Sequence, residues 1–281
     1  MRTRLPLQVL ATAVVLAVTC LPEAVAAQQR PLTPDDPDVI GPGVVLFEAG
    51  VETGSNVRYK LSGLSGDRIA VPVGLSFGLG TIAELQLDAG YNWLSIDSRE
   101  DAPLASRVPT GITWTSDVID VTVATKIKLL SEGAHRPAMG VRFATRLPNA
   151  SNESGLGLDT TDFSFSILGA KTVRGVRIVG NAGLAILSNP LIATVQDDAF
   201  VGGVSLTRRV SPRWEMVGDV AWQSVWFADV PPVGAEPLGE VRAGARFTRG
   251  HARFDAGVLA GFTARSPGFG VIAGVTLRRP D

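Results

Sequence analysis

After residue 43 the chain breaks into about twelve stretches of roughly ten residues with an apolar side chain at every second position, and the connections between them alternate long and short to the end. Tight connections fall at 78–81, 131–136, 173–175, 211–213 and 249–250. Longer ones, rich in Gly, Pro, Asp and Ser, fall at 53–67, 96–116, 148–158, 189–197 and 228–237, and only 263–267 breaks the rule. Short turns at one rim and long loops at the other are the layout of an outer-membrane barrel. The pattern predicts an all-β, single-domain, transmembrane antiparallel up-and-down β-barrel of about 12 strands over residues 44–278.

The start of the chain points to the same place. Arg2 and Arg4 precede an apolar run over 5–18, and Ala24-Val25-Ala26 offers small residues for cleavage, so residues 1–26 read as a secretory signal peptide. A lipoprotein signal on Cys20 is the weaker alternative, because Thr19 before it is a poor fit. Cleavage near Ala27 removes the only cysteine and leaves a chain without disulfide or thiolate chemistry. Residues 27–43 form a Pro-rich lead-in, read most simply as disordered on the periplasmic side, with entry into the lumen as a gate the alternative. The expected location is the bacterial outer membrane, reached through the cleaved signal.

Composition excludes several classes. Hydrophobic residues are 45% and charged ones 19% of 281 positions, yet no apolar run beyond the signal approaches the ~18 residues of a membrane helix. A net charge of −1, with no Lys/Arg cluster along the sequence, offers no footprint for nucleic acid.

A soluble sandwich shares this composition, so patterning within strands has to separate the two. Over 214–227 one face presents Trp214, Met216, Gly218, Val220, Trp222, Ser224 and Trp226. With both termini periplasmic, Phe77, Trp214, Phe247 and Phe254 fall near the short-turn rim, and Trp93, Phe163, Trp226, Phe262 and Phe269 near the other. These are two candidate membrane girdles. From Phe254 to Phe262, eight steps of about 3.3 Å tilted by roughly 40° span about 20 Å, close to the ~25 Å apolar band of such barrels.

The opposite face carries charge of both signs. Glu84, Asp88, Asp120, Lys126, Lys128, Arg142, Arg146, Arg177, Glu215, Asp219, Glu240, Arg242, Arg246, Arg253 and Asp255 share parity with small or polar neighbours. An Arg or Lys facing lipid at mid-depth costs about 2–4 kcal/mol, so this face is expected to line the lumen. A mixed lining either leaves a wet pore or ties itself into ion pairs that narrow it.

No catalytic, cofactor or metal site is expected. Histidine-dependent hydrolysis has only His135 and His251 to draw on, both beside short turns, and two separate histidines without cysteine give no ligand spacing. Gly155-Leu156-Gly157 and Gly202-Gly203 lack the strand-to-helix context and lysine of phosphate loops. Asp159, Asp162, Asp197 and Asp198 read as solvated loop acids in preference to a site for cations that bridge lipopolysaccharide.

Several short motifs carry a resemblance. Pro37-Asp38-Val39-Ile40-Gly41-Pro42-Gly43 with Glu48, the turn from Phe77 through Gly78-Leu79-Gly80-Thr81-Ile82-Ala83-Glu84 to Leu85, and Thr125-Lys126-Ile127-Lys128-Leu129-Leu130 are similar to a bacterial outer-membrane family. So are Arg146-Leu147-Pro148-Asn149 and Asn181-Ala182-Gly183. The family is that of the phenol meta-pathway transporters, and the resemblance covers most of the mature chain. It implies a barrel channel for passive passage of small, aromatic or hydrophobic solutes. The chain departs from the family at its end, where Arg278-Arg279-Pro280-Asp281 stands in place of an aromatic residue. The alternative function is a non-transporting structural or adhesive barrel closed inside by ion pairs. Expected partners are outer-membrane lipid and lipopolysaccharide, the barrel assembly machinery and a small-molecule solute.

Overall fold

The computed structural model describes residues 30–192, 194–225, 232–233 and 235–279. The expected signal peptide and Trp226 lie outside them. Twelve antiparallel strands close into one barrel, each bonded to its sequence neighbours and β1 to β12. The first four are β1 (Val45–Tyr59), β2 (Leu64–Gly78), β3 (Ala83–Arg99) and β4 (Trp114–Leu130). β5 (Ala138–Arg146), β6 (Asp162–Val173), β7 (Val176–Ser188) and β8 (Gln196–Arg209) follow, then β9 (Trp214–Val225), β10 (Leu238–Arg249), β11 (Ala252–Gly261) and β12 (Phe269–Arg279). Closure leaves no free edge, so every strand finds a ladder on both sides.

Turn chemistry sets the short rim. At the β6–β7 hairpin Arg174 and Gly175 both take positive φ, 49° and 76°, the backbone of a two-residue turn whose twist matches the flanking strands. The other rim corrects the sequence reading at two places. Residues 53–67 are not a long loop: β1 and β2 run on to a turn at 60–63, with Asn56 at φ 53° absorbing a bulge between Gly54 and Val57. β3 and β4 likewise extend into the expected 96–116 loop and leave only 100–113 outside the strands. Gly, Ser and Asp in those stretches made them look like loops, but bulged strands carry such residues too.

β4 outruns its partner. Its pairing with β5 covers Thr122–Leu130, and beyond it the β5–β6 loop takes over. Asp120 accepts from the backbone N–H of Asn149 and Ala150, Asp117 from that of Ser151, and Asn149 accepts from Val121 N–H. Side-chain oxygens thus stand in for missing strand carbonyls and hold the loop against the wall. Above it Leu64, Leu94 and Val108 bury an apolar cluster with Tyr59, Ile96, Ile112 and Leu156, folding two loops inward over that side of the mouth.

Residues 30–43 are not a disordered tail but follow the alternative left by the sequence, entry into the lumen. They enter the barrel at the short-turn rim and circle its interior.

Candidate functional site

Strand register decides which side chains meet inside. Arg242 lies opposite Asp219, Arg246 opposite both Glu215 and Asp255, and Lys126 opposite Glu84 and Arg142, so the charged positions of neighbouring strands share one face. Ion pairs run the full height of this wall. Lys126 Nζ lies 2.9 Å from Glu84, with side chains 0% and 1% exposed. Arg142 approaches Asp88 at 3.9 Å, Arg146 approaches Asp120 at 3.5 Å and pairs with Asp162, and Arg242 bonds Glu240 at 2.9 Å. Arg253 reaches Glu48 at 3.6 Å.

The segment 30–43 completes this network nearly strand by strand. Ile40 N–H donates to Glu84 on β3, and Asp38 sits 3.9 Å from Lys128 on β4. Asp36 and Asp38 both hold Arg177 on β7, while Asp35 pairs with Arg142 on β5 at 3.2 Å. Thr33 N–H donates to Asp219 on β9 at 2.8 Å, and Arg242 on β10 reaches the Pro31 carbonyl. The Arg30 carbonyl accepts from Arg246 and Arg253, and its guanidinium lies 3.9 Å from Asp255. Prolines take the close approaches. A Cβ on Gly140 would meet Pro37 Cβ at 3.2 Å, and one on Gly203 would meet Pro34 Cγ at 2.9 Å, so glycine at both wall positions is what lets the segment seat.

Above this belt the lumen opens into a cavity of about 530 Å³. Thr33, Pro34 and Asp35 form its floor, and Ala185, Leu187, Val201, Ala221 and Leu238 give an apolar wall. Arg142, Arg146, Asp162, Glu240 and Arg242 supply charge at its edges, and Val233, Ala235 and Arg265 from the loops close over it. Burial pushes the Arg265 guanidinium below its usual value, with the nearby Glu236 carboxylate opposing that. Cavities of roughly 300–1,000 Å³ with apolar walls and a few polar groups are the usual form of small-molecule sites.

The candidate girdle aromatics lie on the opposite parity. Trp93, Phe163, Trp214, Phe254, Phe262 and Phe269 are exposed, and Phe77 and Phe247 half-buried. Trp214 stacks on Phe247 with centroids 4.9 Å apart. His135 and His251 are exposed at short turns. Among the described residues no group of three metal-ligating side chains forms.

Entry of the lead-in into the lumen was the alternative the sequence offered, but the partners that hold it there were not foreseen. Asp35, Asp36, Asp38, Gln86, Glu48, Glu52 and Glu132 complete the network, yet the lead-in's Asp and Pro content read as disorder. The signal was present in Asp35-Asp36-Pro37-Asp38, whose carboxylates complement a wall with several arginines.

No protein-family model matches the chain, and no curated protein matches it in sequence. Solved structures do. An outer-membrane channel from Pseudomonas putida F1 is 12% identical, with TM-score 0.62 over 88% of this chain and all of that one. The translocator domain of the autotransporter NalP from Neisseria meningitidis gives 11% and 0.49 over 84% and 88%. The toluene transporter TbuX of Ralstonia pickettii gives 8% and 0.43 over 85% and 90%. The first likeness is one of fold, and the chain has the fold of bacterial outer-membrane barrels. The other two fall below the score at which a shared fold is argued.

Proposed function

We propose that this protein sits in the bacterial outer membrane and is a channel for small hydrophobic solutes. Solute enters from the long-loop end into the cavity, and residues 30–43 close the way onward until they shift. The carrying observation is the division of one lumen into a roomy, partly apolar chamber and a filled, ion-paired half. A hydrophilic pore has no use for the Ala185, Val201 and Ala221 wall, whereas a small aromatic molecule gains about 25 cal/mol for each Å² of apolar surface it buries there. An outer-membrane channel from Pseudomonas putida F1 shares the fold, which agrees with a channel without identifying a substrate.

The filled half favours a second reading, a barrel that transports nothing. Uptake separates the two. Proteoliposomes carrying the protein should take up a labelled monoaromatic such as toluene faster than protein-free liposomes, and a sugar of similar size no faster. Equal rates for the aromatic with and without protein would favour the non-transporting barrel.

A further inference from the structure

The sequence shows no basic cluster, but the meander assembles one. Arg174 from the β6–β7 turn, Arg208 and Arg209 from the end of β8, Arg213 from the β8–β9 turn, Arg249 from the end of β10 and Arg279 from the end of β12 all fall on the short-turn rim. All six are exposed. Adjacent hydrogen bonds make the arc continuous: Thr248 N–H donates to the Arg213 carbonyl, and Arg278 N–H to that of His251. Among the described residues two acids border the arc, each already engaged: Glu215 by Arg209 at 3.3 Å and the interior Arg246 at 3.9 Å, and Glu132 by Lys171 at 3.3 Å and Arg177 at 3.0 Å. No ion pair forms on Arg174, Arg208, Arg213, Arg249 or Arg279 within the described residues.

Three of these arginines belong to the outer face. Register sets Arg208 between Val176 and Met216, and Met216 is 52% exposed. Arg249 lies two residues beyond Phe247 on the same face, about 7 Å along the strand. Arg279 follows Leu277 in the same way. Immediately toward the barrel's middle runs a row of exposed apolar side chains: Leu206, Met216, Trp214 and Phe254, with Phe247 stacked on Trp214. Aromatic side chains at the apolar boundary with arginines just outside them are where a phosphodiester sits while its acyl chains lie along the wall.

We propose that this arc is a binding surface for anionic phospholipid, of the phosphatidylglycerol type, in the leaflet at the short-turn end of the barrel. Charge complementarity chooses the occupant, and the outward aim of Arg208, Arg249 and Arg279 chooses a lipid over a soluble anion. The proposal rests on the membrane-barrel reading and not on transport. Because the arginines are exposed, the attraction is screened by salt.

The test reconstitutes the full chain into bilayers of equal phosphatidylcholine and phosphatidylglycerol, releases it into detergent and counts retained lipids by native mass spectrometry. Failure to enter bilayers of phosphatidylcholine alone would refute the membrane reading. With insertion secured, phosphatidylglycerol should be retained in preference, with the preference falling about fivefold for each arginine removed in Arg208→Ala and Arg249→Ala and shrinking as salt rises. Arg58→Ala with Arg107→Ala, both exposed at the other rim, should leave it unchanged. Should the double variant fail to fold, as shown by loss of heat-modifiable migration, Arg213→Gln in the turn provides the same reading. Equal retention of both lipids, or a preference untouched by these changes, overturns the proposal. A preference for lipopolysaccharide added in place of phosphatidylglycerol also overturns it, since the arc would then belong to the other leaflet.

Discussion

The two halves of the lumen are built from the same strands and the same alternation, yet one is packed and the other open. At the short-turn end, Lys126 and Glu84 are sealed from solvent, and residues 30–43 satisfy charges on β3, β4, β5, β7 and β9 to β11. At the loop end Arg142, Arg146 and Arg242 border a chamber of about 530 Å³. Strand alternation alone therefore does not account for the difference. A short segment that belongs to no strand fills the short-turn half, carrying acids to arginines of the wall.

The largest effect should come from removing that segment. Deleting residues 30–41 should leave a folded barrel, because water replaces the lost partners, and raise single-channel conductance in planar bilayers by about tenfold. Conductance equal to that of the parent would mean the packed half is closed by the wall itself.

Next in size is the sealed pair. Lys126→Ala leaves Glu84 without its cation in a dry site and should lower stability by about 3–5 kcal/mol, read by urea unfolding in detergent micelles. Replacing Arg146 by Ala should cost far less, since its side chain is 36% exposed at the chamber edge. Equal losses would erase the distinction between the two halves.

Filling the open half is the converse change. Ala221→Trp projects a large side chain into the chamber and should slow uptake of a small aromatic by about tenfold with little change in stability.

The smallest effect concerns the rim below the belt. Thr172 N–H, the Thr172 hydroxyl and Lys171 hold the Glu132 carboxyl below its usual range. A depressed folded-state pKa contributes stability that is present above the unfolded value and lost as pH falls through the folded one. Fraying of the β4–β5 turn should accordingly begin only below the ordinary Glu range, and Glu132→Gln should remove that pH dependence in amide exchange at Thr172.

How much of this was legible in the sequence follows from the physics of each part. Alternation at every second residue and turn spacing carry strand number and parity, so the barrel and its closed order could be read, including the pairing faces of Arg242 with Asp219 and Arg246 with Glu215. Loop bounds at 53–67 and 96–116 could not, because Gly54, Asn56 and Gly66 serve bulged strands as readily as turns. The belt was hidden for a different reason. Asp35, Asp36 and Asp38 have no periodicity and no apolar face; their order comes from arginines that lie more than a hundred residues away and depends on the closed barrel.

The central claim is that residues 30–43 must move for solute to pass, and a reversible lock tests it. A Cβ at Gly140 would lie 3.2 Å from that of Pro37, so Pro37→Cys with Gly140→Cys reaches the roughly 3.5–4.5 Å of a disulfide once the segment gives by a few tenths of an ångström. With the bond formed, uptake of a labelled monoaromatic into proteoliposomes should fall to the protein-free rate and return on reduction, while Pro37→Cys alone responds to neither treatment. Uptake that runs equally fast with the segment locked would show that solute leaves the chamber by a path the segment does not control.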